Sequence, residues 1–163
     1  MMNFLLPVLI SLSYTCFAQI QIDQSTGLIK NERILQLDSM NQKHIYNKSK
    51  VWIASQFKNP GKVVTSDLPE EGLITVRYNE TYRAGFGPIA FDHILTIRTK
   101  DNKSKLTITN IEAPLGTLEV YCLKKDRSVR GMYQELYDGV GKSTDELIKS
   151  YEKSLRSKQD NDW

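Results

Sequence analysis

Between Leu73 and Thr109 the chain alternates apolar and polar residues through three successive segments. A two-residue period sustained that long is the signature of an antiparallel sheet with one face buried. Ile74, Val76, Tyr78 and Tyr82 fall on one side of the first segment, with Thr75, Arg77, Asn79 and Thr81 opposite. Phe91, His93, Leu95 and Ile97 alternate with Asp92, Ile94, Thr96 and Arg98 in the second. After the turn Asp101-Asn102-Lys103, Leu106 and Ile108 alternate with Lys105, Thr107 and Thr109. Such a sheet has one dry face and one wet face.

The dry face needs a cover, and two amphipathic helices are available for it. Ser39 with Gln42 forms a capping box, predicting a helix of about 18 residues. Ile45, Ser49, Trp52, Ile53, Gln56 and Phe57 recur along one stripe of it, with Tyr46 beside them. Lys43, Asn47, Lys48, Lys50 and Lys58 fall largely outside the stripe, and Pro60-Gly61 stops the helix. The second helix, Thr144 to Arg156, starts at a box from Ser143 to Glu146 and carries Leu147, Ile148, Tyr151 and Leu155. A short strand, Arg33 to Asp38, precedes the first helix; another at Val63 to Thr65 and the turn Asp67 to Gly72 follow it. The order is β-α-β(4)-α, an α+β domain with two helices on one face of an antiparallel sheet. The connection 112–141 reads as irregular, with an edge strand near Val120 and a turn or short helix at Tyr133 to Tyr137.

A chain of 163 residues, 40% apolar and 25% charged, suits one domain, here 32–158, and a net charge of +3 does not single out an acidic polymer as partner. Met1 to Ile22 carries no charged side chain, and Phe4 to Leu12 is an apolar run too short to span a bilayer, which needs ~20 residues. With Cys16-Phe17-Ala18 as a cleavage site, residues 1–18 read as an export signal and the protein as periplasmic or extracellular. Ser13-Tyr14-Thr15 is a poor lipobox, so lipidation of Cys16 is disfavoured. Residues 19–31 read as a polar linker and 159–163 as a frayed tail. Cys122 is then the one thiol of the exported chain, expected to be buried in a strand from Leu118 to Leu123.

The segment KSKVWIASQFKNPGKVV, the Glu-Glu-Gly-Leu-Ile after it and the strand pair ending in ILTIRTKDNKSKLTITNIEA resemble family 4468 of the domains of unknown function. The likeness covers Glu32 to Ala113 and the last helix. It implies export and a fold like one half of the TATA-box-binding protein, and it brings no activity.

No motif carries an activity either. Gly139-Val140-Gly141-Lys142-Ser143-Thr144 resembles the end of a phosphate loop, but the first glycine should stand where the chain has Leu136, and a glycine turn capped by Ser143 accounts for the same letters. His93 faces inward and Asp92 outward, so the two cannot chelate one ion, and no cofactor or metal is expected. Glu70 and Glu71 read as solvated turn residues. Lys124, Lys125, Arg127 and Arg130 form the densest basic run, diluted by Asp126. The expected function is binding, without catalysis, of an unidentified protein or envelope component. The candidate surface is the wet sheet face: Thr75, Arg77, Thr96, Arg98, Lys105 and Thr107, with Thr109 alongside. Because that face is polar, and lacks the apolar wedges of a minor-groove binder, nucleic acid is not expected as partner. The alternative is a small hydrolase or transferase that uses the loop 83–90, with Gly85 and Gly87, as a lid.

Overall fold

The computed structural model describes residues 20–23, 26–85 and 87–157. The expected signal 1–18, Cys16 and the tail 159–163 lie outside the described residues. Strands β1 (Gln21–Ile22) and β2 (Ile29–Gln36) come first, followed by helix α1 (Gln42–Gln56), a one-turn helix α2 (Pro60–Val63) and strand β3 (Val64–Leu68). The long strands β4 (Leu73–Ala84), β5 (Gly87–Lys100) and β6 (Lys103–Ala113) follow as consecutive hairpins. Strand β7 (Gly116–Thr117), helix α3 (Leu118–Cys122), a 3-10 turn at Gly131–Tyr133 and helix α4 (Gln134–Arg156) close the chain.

The sheet order is β1-β2-β6-β5-β4-β3, with every pairing antiparallel and β7 added beside β6. The expected alternation is realised: Ile74, Val76, Phe91, Leu95, Ile97, Leu106 and Ile108 are buried, and Arg77 and Arg98 are exposed. Within 19–31, expected as a linker, the described residues include two strand segments. Ile22 pairs with Ile29, and β2 begins at Ile29, four residues ahead of the expected Arg33. Its polar start hid it, because Asn31 is buried by donating from Nδ2 to Thr144 Oγ1 at 2.9 Å.

Both long helices pack on the dry face. Trp52 is 2% exposed and meets the Tyr151 ring edge-on at 4.9 Å, while its indole N–H donates to Ser150 Oγ at 3.1 Å. The Tyr151 hydroxyl ties the layers together, 2.8 Å from Ser49 Oγ of α1 and 2.6 Å from Ser104 Oγ of β6. Burial pushes its pKa up to about 12, against those two hydrogen bonds.

The start of α1 is set by Asn41 rather than Ser39. Asn41 Oδ1 accepts the His44 N–H at 2.8 Å, and Asp101 Oδ1 accepts the Gln42 N–H at 2.7 Å. Ser39 sits at φ 65 in the preceding turn, where it cannot cap. The helix ends at Gln56, and Pro60 opens α2 at its first turn instead of stopping α1. Lys48 belongs to the interior: its ammonium donates to the carbonyls of Leu155 at 2.7 Å and Ser157 at 2.6 Å, closing the C-terminus of α4.

The stretch 112–141 is more regular than its glycines suggest. Val120 lies in α3 rather than in an edge strand, and Cys122 is buried in that helix, its thiol pushed up to about 12 by burial. Helix α4 begins at Gln134, ten residues before the expected Thr144, and runs through Gly139 and Gly141. The phosphate-loop letters are therefore helical, and Ser143 caps nothing; it donates to Glu80 Oε1 at 2.6 Å.

Candidate functional site: the open sheet face

The six candidate residues all lie on the face that no helix of the described residues covers, but register divides them into three groups. Glu32, Thr107, Thr96, Thr75 and Ser66 stand side by side across five strands. This central row is neutral apart from Glu32, which accepts from Thr107 Oγ1 at 3.3 Å. Arg77 lies on one side of it and is occupied: its guanidinium donates to Asp92 Oδ2 at 2.7 Å, and Asn79 donates to the other carboxylate oxygen at 2.9 Å. Those two hydrogen bonds, Asn79's first, hold the Asp92 carboxyl below the usual range.

On the other side, Arg98 is directly opposite Lys105, and Lys100 is directly opposite Lys103 in the next row on the same face. Two consecutive like-charged cross-strand pairs work against sheet stability. Glu32 holds Lys105 at 2.9 Å, whereas Arg98, Lys100 and Lys103 form no ion pair among the described residues. Burial would raise the Glu32 carboxyl, but the Lys105 hydrogen bond and charge, with Lys30 and Thr107, hold it low. Asp101, the acid nearest in sequence, is turned to the first turn of α1. These cations and Ile34, Gln36 and Ser104 line a depression of about 420 Å³. Ile34 is 60% exposed at its outer rim, so the site offers positive charge beside apolar surface.

Sequence reasoning placed Arg98 and Lys105 here and missed Lys100, Lys103, Ile34 and Gln36. The missing signal was register: charges three to seven residues apart along one hairpin become neighbours only once the two-residue turn Asp101-Asn102 sets the pairing. The denser run at Lys124 to Arg130 lies elsewhere, in the loop after α3, where Arg130 Nε donates to the Leu123 carbonyl at 2.8 Å.

On the helical side, Ser143 donates to Glu80, Tyr82 donates to Glu80 Oε2 at 2.9 Å, and His93 Nε2 is 3.2 Å from the Tyr82 oxygen. Because the Glu80 carboxylate can only accept, the Tyr82 proton points to it and His93 carries its proton on Nε2. His93 is fully buried, stacked on Tyr78 at 4.8 Å, and burial lowers its pKa to about 4 against the pull of Glu80 and Asp92. A serine nucleophile would donate to the histidine, but Ser143 is separated from it by Glu80 and Tyr82. A cleft of about 390 Å³ adjoins this chain, lined by Gln56, Tyr78, Glu80, Ser143, Glu146 and Ser150 among others. Among the described residues no group of three or more His, Cys, Asp and Glu side chains is arranged to hold a metal ion. No helix of the described residues is long and apolar enough to cross a membrane.

In the segment 83–90, expected as a lid in the alternative reading, Arg83 pairs with Pro88 and Ala84 with Gly87 at the end of the β4-β5 ladder.

A domain of unknown function (DUF4468) with a TBP-like fold matches residues 32–113. The chain belongs to that family. Two solved structures have the same fold. A TBP-like protein from Parabacteroides distasonis ATCC 8503 superposes with a TM-score of 0.69 at 12% identity, covering 85% of this chain and 99% of that one. A DUF4468 family protein from Bacteroides ovatus ATCC 8483 superposes with a TM-score of 0.66, also at 12% identity, covering 85% of this chain and 92% of that one. No curated protein matches the chain. At that identity the likeness carries the TBP-like fold alone.

Proposed function

We propose that this DUF4468 chain is an exported, non-enzymatic binding domain that holds an anionic partner of the cell envelope at the basic end of its open sheet face. The observation that carries this reading is the pair of like-charged cross-strand contacts, Arg98 with Lys105 and Lys100 with Lys103. A folded protein keeps such pairs at a cost in stability, and a bound anion removes that cost. Export rests on the uncharged first 22 residues and their apolar run. Reversing Arg98 and Lys103 to Glu and cross-linking the protein in intact cells tests the surface. Loss of the captured partners, with Arg77→Glu as a control on the same face retaining them, is the expected result. An unchanged partner set in the Arg98 and Lys103 variant removes this surface from consideration.

A further inference from the structure

Among the described residues the sheet has two edges, and one of them is blunted. On β3 the pairing with β4 shifts between Val64 and Ser66, and the strand runs into Pro69 after five residues. A bulge and a nearby proline are how proteins prevent another strand from adding. On the opposite edge β1 covers only Ile29 and Lys30, so among the described residues Asn31 to Gln36 pair with β6 alone. That register is unbroken from Asn31 to Gln36, without proline or bulge, and Ile34 stands exposed in its middle. Six residues at ~3.3 Å each give about 20 Å of open backbone, enough to seat an extended segment. This edge borders the basic depression, whose outer rim is Ile34 and Gln36.

We infer that the β2 edge, Asn31 to Gln36, takes up an acidic, extended polypeptide segment as an added strand, its carboxylates reaching over Ile34 and Gln36 to Lys103, Lys105 and Arg98. This rests on the anionic-partner reading above and specifies the chemistry of that partner. An added strand would lie ~4.8 Å beyond β2, putting its backbone roughly 10 Å from that of β6, a gap that a lysine and a glutamate side chain span together. Glu32 already demonstrates the contact from within the chain, since from β2 it reaches Lys105 on β6 at 2.9 Å. The same cations select the occupant. Four cations beside the edge favour an acidic segment over a neutral or basic one. A row of free backbone N–H and C=O groups asks for a polypeptide, because main-chain hydrogen bonds supply the affinity in strand addition.

The test uses the purified chain and a ten-residue peptide of alternating Glu and Thr, its binding followed by anisotropy and by hydrogen exchange. Comparison probes are the Lys-Thr counterpart, a DNA duplex, and two N-methylated forms of the Glu-Thr peptide, methylated at the odd or the even residues. Strand addition predicts slower exchange at Asn31 to Gln36, and no binding of the Lys-Thr peptide or the duplex. One N-methyl form should lose at least about tenfold in affinity while the other binds like the parent, because alternate amides face the neighbouring strand. Reversing Arg98 and Lys103 to Glu should cost about tenfold or more at low salt and less at high salt. If those reversals weaken binding but both N-methyl forms bind like the parent and β2 exchange is unchanged, the strand addition falls and the anionic-partner reading stands. If the reversals leave binding unchanged, both fall. Failure of the Glu-Thr peptide to bind, or binding of the duplex in preference to it, also overturns the inference.

Discussion

His93 is neutral in the folded chain because its ring is fully buried against Tyr78 and Tyr82 and cannot be hydrated when charged. Its pKa falls from 6.5 to about 4, so across that window the unfolded chain binds a proton that the folded chain refuses. Stability therefore rises with pH between those values and is lost as pH drops through them, by roughly 3 kcal/mol if no other group intervenes. Urea melts of the protein and of His93→Phe between pH 4 and 7 check this: the variant should be flatter over the window, and equal slopes would exclude His93 as the source. The alternation that put His93 inside was legible residue by residue. The hydrogen-bond chain beyond it was not, because Glu80 and Ser143 are 63 positions apart and meet only when α4 lies across β4.

At the scale of elements, short polar side chains are ambiguous because Ser and Asn both cap helices, and which one does so depends on the backbone before it. Asn41→Ala should cost about 1 kcal/mol while Ser39→Ala costs only a few tenths, a difference that thermal melts can resolve. Helix α4 presents the opposite case, where poor helix formers hid a helix. Gly139 and Gly141 read as a turn because each disfavours a helix interior by ~1 kcal/mol, and packing overrides that preference. A Cβ at Gly139 would meet Tyr82 Cδ1 at 3.9 Å, an ordinary contact, while one at Gly141 would press on Ile20 Cγ2 at 3.3 Å. Gly139→Ala is therefore expected to raise unfolding stability by about 0.5–1 kcal/mol. A fall instead would mean that Tyr82 cannot accommodate the methyl. Asn31 hid the start of β2 for a related reason: it reads as polar linker until Thr144 supplies its hydrogen-bond partner.

For the molecule as a whole, the basic end of the sheet sets binding against stability. Replacing Arg98 by Thr removes one like-charged pair and should raise stability by a few tenths of a kcal/mol, most clearly at low salt, while weakening capture of an acidic probe. Parallel denaturation and binding curves separate the two effects; a variant less stable than the parent would mean that Arg98 serves the fold. The sequence by itself determined that there is a sheet with one dry and one polar face, and that Trp52 and the last helix cover the dry one. Period and amphipathicity are local, and they survive without knowing which strand lies beside which. Only the tertiary structure decided that Arg98, Lys100, Lys103 and Lys105 share one depression, that Arg77 is bound to Asp92 instead, and that among the described residues Asn31 to Gln36 pair on one side alone. Each of those depends on register and strand order, set by contacts between residues far apart in the chain.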